Sequence, residues 1–162
     1  MLPDLITPVI SRWTANWRHP FTSAMAEERI AATLADNVAG LGFNRVLLDK
    51  GDDCLIGWFR VTLTSDNPRT GSLGYWLIDA VHGRGYLTEA LPVFVQAAVV
   101  ALKLERLEAG AQPGNAASIA ALKRLGMQFT DERMHFVPAR EREERTAFYA
   151  LTVGSSAFSP SR

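Results

Sequence analysis

The sequence predicts an α+β fold: a mixed, mostly antiparallel central sheet flanked by helices. Three observations predict it. Short strand-like segments separated by turn residues follow one another from Arg45 to Ile78. A strand, a glycine-broken loop, an apolar helix and a further strand then run from Ser72 to Ala111. Finally, Thr146 to Val153 alternates in polarity and closes the sheet. The strands at 72–78 and 106–111 are joined by a helix, so they run parallel to each other.

Each element has its own local reason. The opening, L-P-D-L-I-T-P-V-I-S, carries no clear strand. Trp13 and Trp17 stand four apart and can share a helical face that covers the core or an interface. Ser23 can cap the first long helix, with Glu27 and Glu28 in its first turn, where the helix dipole favours acids. Ala26, Ile30, Leu34 and Val38 form its apolar stripe, and Gly40 and Gly42 end it. Strands are expected at Arg45 to Asp49 and Cys54 to Thr62, joined by the turn Lys50-Gly51-Asp52-Asp53. Asp66-Asn67-Pro68 and Gly71 mark the next turn, before the strand at 72–78.

From Tyr86 the spacing becomes helical, with Leu87, Leu91, Phe94, Ala98 and Leu102 on one face. Pro92 lies inside that helix, loses a backbone hydrogen bond and predicts a local bend on the exposed side. Leu107, Ala109 and Ala111 alternate as the next strand, which Pro113-Gly114 ends. Asn115 caps a short helix reaching Lys123 or Arg124. A strand follows from about Met127 to Thr130, with an extension towards Val137. The run P-A-R-E-R-E-E-R at 138–145 reads as a solvated loop with local charge pairing.

The chain has 162 residues, which suits one domain over 1–153 and a disordered tail over 154–162. Hydrophobic residues are 48% and charged residues 21%, an ordinary globular balance. Lys plus Arg equals Asp plus Glu, so nothing in the net charge supports a nucleic-acid or membrane partner. Cys54 is the only cysteine, which excludes an internal disulfide and fits a reducing compartment. The N-terminus lacks a basic-then-apolar signal segment and no apolar run approaches the ~20 residues that span a bilayer, so a cytoplasmic location is expected. His19, His82 and His135 are too scattered to argue a metal site, so no metal is expected.

The glycine loop carries the chemistry. Gly83 and Gly85 bracket Arg84 and open a helix, where free N–H groups and the helix dipole favour an anion such as a pyrophosphate. A dinucleotide fold would want a third glycine near Thr88 and an acid ending the next strand; Glu105 comes before that strand instead. A nucleotide-triphosphate loop needs Gly-Lys-Ser/Thr, which the chain lacks. The segment G-Y-W-L followed by H-G-R-G-Y-L-T-E-A resembles the acetyl-coenzyme A loop of the GNAT N-acetyltransferases, in the RimJ/RimL-like branch. The stretch P-G-N-A-A-S-I-A-A-L-K-R-L-G-M resembles that branch's P-x-N-x-x-S and L-G-F pattern. The branch's usual first strand has no counterpart in residues 1–20.

The resemblance implies a GNAT-like fold in which the strands at 72–78 and 106–111 splay apart and admit the coenzyme's pantetheine arm. It implies acetyl-CoA as co-substrate and direct transfer of acetyl to a primary amine, either a protein N-terminus or a small molecule. The backbone of Leu77 and Ile78 would pair with the arm and stabilise the oxyanion. His82, Gly83, Arg84, Gly85, Tyr86, Leu87 and Thr88 would hold the pyrophosphate, with Arg84 either adding charge or facing solvent. Many members place a tyrosine proton donor where this chain has Leu122. The branch offers Ser118 instead, which either donates to the sulfur or only bonds the helix start; Asn115 reads as coenzyme contact, helix cap or both.

The attacking amine must be the free base, against ordinary pKa values of about 7.7–8.0 for an α-amine and about 10.4 for lysine, so a base helps. The acid that branch members often carry two residues before G-Y-W is Ser72 here. His135 is the base candidate, with Glu132 as another and a structural histidine as the plain reading. These departures keep a non-catalytic acyl-CoA sensor as the alternative function. Exposed tryptophans near the N-terminus would suggest a homodimer.

Overall fold

Two short helices, α1 (Leu2–Leu5) and α2 (Pro8–Trp13), open the chain where the family strand was sought. The computed structural model describes residues 1–154, so the tail expected over 154–162 lies, from residue 155 onward, outside the described residues. The long helix α3 spans Ser23–Ala39, and its cap is Thr22 rather than Ser23: the Thr22 hydroxyl accepts from the Met25 N–H at 3.3 Å. Three strands follow, β1 (Gly42–Leu48), β2 (Leu55–Leu63) and β3 (Thr70–Leu77), each antiparallel to the last.

A short 3-10 turn at Asp79–Val81 leads through the glycine loop to α4 (Tyr86–Leu102). Then come β4 (Arg106–Ala111), α5 (Ala116–Arg124), β5 (Gln128–Val137) and β6 (Arg142–Thr152). The sheet order is β1-β2-β3-β4-β6-β5, with β3 and β4 as its one parallel pair. The mixed, mostly antiparallel sheet flanked by helices is therefore the architecture expected.

Both faces of the sheet are covered, unequally. On one, α4 buries Leu91, Phe94, Val95 and Ala98 against Phe59, Val61, Leu73 and Leu107. Pro92 lies on its exposed side, as its missing N–H requires if the loss is to leave only the Thr88 carbonyl without its helical donor. On the other face, Trp17 packs edge-on against Trp58 and Trp76, at 5.2 Å to each, with Phe21, Ile6 and Ile10 around them. Trp17 is thus buried and lies beyond α2, so it shares no helical face with Trp13 and is no interface residue.

Two further expectations give way to tertiary packing. The stripe of α3 faces outward: Ile30, Leu34 and Val38 are 43%, 58% and 90% exposed. The helix meets the sheet through polar residues instead. Asp36 pairs with Arg60 at 3.3 Å, and Asn37 Oδ1 accepts from the Asn44 N–H at 2.9 Å. The acidic-basic run at 138–145 is mostly exposed and pairs its charges locally, as expected, but its second half is strand rather than loop. It is the tip of the β5–β6 hairpin, where Arg140 donates through Nε and Nη2 to both Glu144 oxygens at 2.8 Å. Arg140 also donates to the Ser11 and Thr14 carbonyls, which ties the hairpin to α2.

Candidate active site

The site forms where β3 and β4 part. They pair only from Thr70 to Ser72 and from Arg106 to Glu108. Beyond that point β3 continues to Leu77 and β4 to Ala111 with no ladder between them, which leaves a fork open towards the strands' C-terminal ends. The side of the fork nearer α4 and α5 is filled by the main apolar core. On the opposite side Gly74 is exposed, and a Cβ built there meets nothing within 4 Å. One face of the fork is therefore packed and the other open.

Backbone alternation decides which groups look into the fork. Ile78 donates its N–H to the Ile56 carbonyl at 2.9 Å, so it faces β2 and is already used. Alternation then turns the N–H and C=O of Leu77 towards β4. His82 Nε2 lies 2.9 Å from the Leu77 carbonyl. The His82 ring thus fastens the loop to the end of β3. Of the two residues expected to offer backbone N–H groups here, only Leu77 has one facing the fork.

The loop itself is shaped for an anion. Gly83 and Gly85 adopt φ of 73° and 85°, the left-handed region in which a side chain is strained. Arg84 closes a turn by donating to the Val81 carbonyl at 3.3 Å, and Glu89 makes the first helical bond, to Gly85 at 3.1 Å. Among the described residues the N–H groups of Gly83, Gly85, Tyr86, Leu87 and Thr88 have no protein acceptor. Four of them, on Gly85, Tyr86, Leu87 and Thr88, belong to the cap and first turn of α4, at the positive end of its dipole. The Arg84 guanidinium lies 5.6 Å from the Tyr86 ring centre, beside the loop.

Asp49 was not singled out in the sequence, yet it holds this loop in place. Tyr86 donates to its carboxylate at 2.6 Å, across from the β1–β2 turn. That bond keeps the Asp49 carboxyl below its ordinary range and pushes the Tyr86 phenol up. Arg124, on α5, donates to the Thr88 hydroxyl at 3.3 Å, and a small apolar groove between Leu87, Leu91, Ala121 and Leu125 runs alongside.

Ser118 and Asn115 sit on the other bank. Asn115 Oδ1 accepts from the Ser118 N–H at 3.2 Å, so the cap is real. The Ser118 hydroxyl lies 2.9 Å from the hydroxyl of Tyr75, a half-buried residue of β3. Tyr75 is brought into the site by this tertiary contact rather than by any motif spacing. Its only local signal was its place in G-Y-W. Leu122, where a tyrosine was sought, is fully buried in the core.

His135 stands elsewhere. It pairs with Glu144 in the β5–β6 register, on the sheet face opposite Ser118, with its ring 5.5 Å from Phe148. β5 is two strands from β4, roughly 10 Å by ordinary strand spacing. The structure does not bring Ser118 and His135 together. Glu132, the other base candidate, pairs with Arg145 at 3.2 Å. Glu108 lies at the base of the fork, in register beside the exposed Ser72 on the open face. It accepts from Arg106 Nε at 2.7 Å.

Among the described residues no group of three His, Cys, Asp or Glu side chains is placed to hold a metal, and no helix is long and apolar enough to cross a membrane. Residues 3–128 match the family model described as the acetyltransferase (GNAT) domain. Over 76 residues the chain is 38% identical to Probable N-acetyltransferase YjcK of Bacillus subtilis (strain 168). That stretch is 46% of this chain and 42% of the relative, so the match spans less than half of either. Among solved structures, the ribosomal-protein-S5-alanine acetyltransferase of Vibrio fischeri superposes with a TM-score of 0.78 at 22% identity, over 94% of this chain and 84% of that one. RimJ of Mycobacterium smegmatis, in complex with CoA-disulfide, also gives 0.78, at 20% identity over 93% and 74%. At such identities the two structures speak to the fold.

Proposed function

The chain belongs to the GNAT acetyltransferase family, and from that premise we propose that it transfers acetyl from acetyl-CoA directly to a primary amine. The observation that carries the proposal is the set of five unpartnered N–H groups at the end of a fork with one open face. Those donors suit a pyrophosphate. The fork beside Leu77 suits an extended arm that adds to the sheet edge. The coenzyme then lies along β3, and the amine approaches from the open face over Gly74.

The reaction needs few groups from the protein. The amine nitrogen bonds the thioester carbonyl carbon, the C–S bond breaks, and its electron pair goes to sulfur. The Leu77 N–H is the donor for the oxyanion that develops. Ser118 donates a hydrogen bond to the departing sulfur, which suffices for a thiolate whose conjugate acid has a pKa near ~8.5, as in cysteine. Glu108, on the amine's side of the sheet, takes the surplus proton through water in preference to His135, two strands away. The resemblance to the RimJ/RimL-like branch supports a protein N-terminus as the acceptor, and the Vibrio fischeri structure that shares this fold is described as a ribosomal-protein-S5-alanine acetyltransferase.

Calorimetric titration with acetyl-CoA tests the loop. Gly83→Asn keeps a residue that tolerates positive φ and should retain binding. Gly83→Glu places a carboxylate where the pyrophosphate belongs and should lower affinity at least ~100-fold, the like-charge cost of roughly 3 kcal/mol. Equal affinities for the two variants would move the pyrophosphate away from this loop.

A further inference from the structure

We infer that Tyr75 is a positioning residue for acetyl transfer, holding the Ser118 hydroxyl so that its proton points into the fork. The inference rests on the reading of Ser118 as the donor to sulfur. Its evidence is the geometry of the pair. Tyr75 lies three residues beyond Ser72, the last residue of β3 that pairs with β4. Ser118 follows β4, on α5. Their hydroxyls meet at 2.9 Å, so the contact joins the unpaired end of β3 to the helix that follows β4.

Two hydroxyls in contact hold two protons, and one of them is spent on the contact. A phenol is the stronger acid and the weaker acceptor, so Tyr75 donates and the Ser118 oxygen accepts. The serine proton is then free for a third group. The alternative arrangement would turn the serine proton onto the phenol. It would leave Tyr75 only the Ser118 carbonyl at 3.4 Å, beyond the ordinary range for an O–H donor. The ring is locked as well, edge-on to Phe59 at 6.2 Å. Tyr75 is not itself the proton source: its burial disfavours the phenolate and pushes the phenol's pKa up. Its donated bond instead supports the serine oxygen as that oxygen's proton leans towards sulfur, with no bond to either hydroxyl broken.

The test needs no acceptor. Coenzyme A bound to the protein is titrated by thiolate absorbance against a desulfo-coenzyme A blank, in the wild type, Tyr75→Phe, Ser118→Ala and the double variant. Phenylalanine keeps the ring that packs on Phe59. A serine hydrogen bond to sulfur should hold the bound thiol below the value the free coenzyme shows under the same conditions. Tyr75→Phe should raise it by about half a unit or more, Ser118→Ala by more, and the double variant no further than Ser118→Ala alone. A Tyr75→Phe protein that titrates like the wild type, while Ser118→Ala does not, overturns the inference and leaves the serine reading standing. A wild-type thiol that titrates as the free coenzyme does, or one unmoved by Ser118→Ala, overturns the serine reading and the inference with it. A double variant shifted beyond Ser118→Ala means that Tyr75 acts on sulfur by another route, which also overturns it.

Discussion

At Glu144 several donors converge on one carboxylate. Arg140 supplies two bonds, Arg142 Nε a third at 2.8 Å, and Gln112 another. The arginine partners, Arg140 first, bring its pKa from 4.5 down to about 2. A carboxyl lowered in the folded state stabilises the fold above its unfolded value, and that contribution disappears as pH falls from about 4.5 through about 2. Glu144→Gln should therefore flatten the pH dependence of stability in that window. Denaturant unfolding at a series of pH values checks it, and a variant as acid-sensitive as the wild type would contradict it. The carboxylate was visible in the charge run P-A-R-E-R-E-E-R, but its partners were not. Arg140 reaches the Thr14 carbonyl across 126 positions of sequence, and Tyr86 reaches Asp49 across 37. Local spacing carries no information on such contacts.

Among the elements, α3 and α4 respond differently to the same kind of pattern. Both show apolar residues three and four apart, yet α4 buries its stripe and α3 exposes most of its own. The reason is what lies beneath. The Trp17, Trp58 and Trp76 cluster and the Asp36–Arg60 pair take the sheet surface that α3 would otherwise cover with leucine and isoleucine. Leu34→Lys should shift stability by less than ~0.5 kcal/mol, because the side chain is already in water. Leu91→Ala, at 1% exposure, should cost about 2–5 kcal/mol. Paired denaturation curves decide this, and a large loss at Leu34 would show that the exposed stripe has a partner in solution. Strand β5 is the opposite case. Its short expected core at Met127 to Thr130 extends to Val137 because β6 supplies a full antiparallel partner, with a bulge between Phe129 and Asp131.

For the whole molecule, the arrangement separates two approaches to one fork. The glycine loop proposed to hold the coenzyme and α5 lie towards the packed side of the sheet, and the open side lies over Gly74. A bulky residue there should spare the coenzyme and obstruct the amine. Gly74→Leu is expected to bind acetyl-CoA within about threefold of the wild type while thiol release falls at least ~10-fold. Calorimetry and a thiol-release assay on the same preparation separate the two effects, and unchanged turnover would place the amine elsewhere. The homodimer suggested for exposed tryptophans loses Trp17 from its support, since that ring lies in the second core.

By itself the sequence determined the class of fold, the parallel strand pair, the glycine loop and the cap at Asn115. Each depends on residues close in the chain, whose periodicity or special backbone conformation is written locally. The two motifs that resemble the GNAT pattern, lying either side of α4, added the coenzyme. Only the tertiary structure decided which face of α3 is wet, which backbone donors stay free, and that the hydroxyl beside Ser118 belongs to Tyr75. Those outcomes depend on which strands are neighbours and on which polar groups another segment has already used. Sheet order sets both, through contacts between residues far apart in the chain.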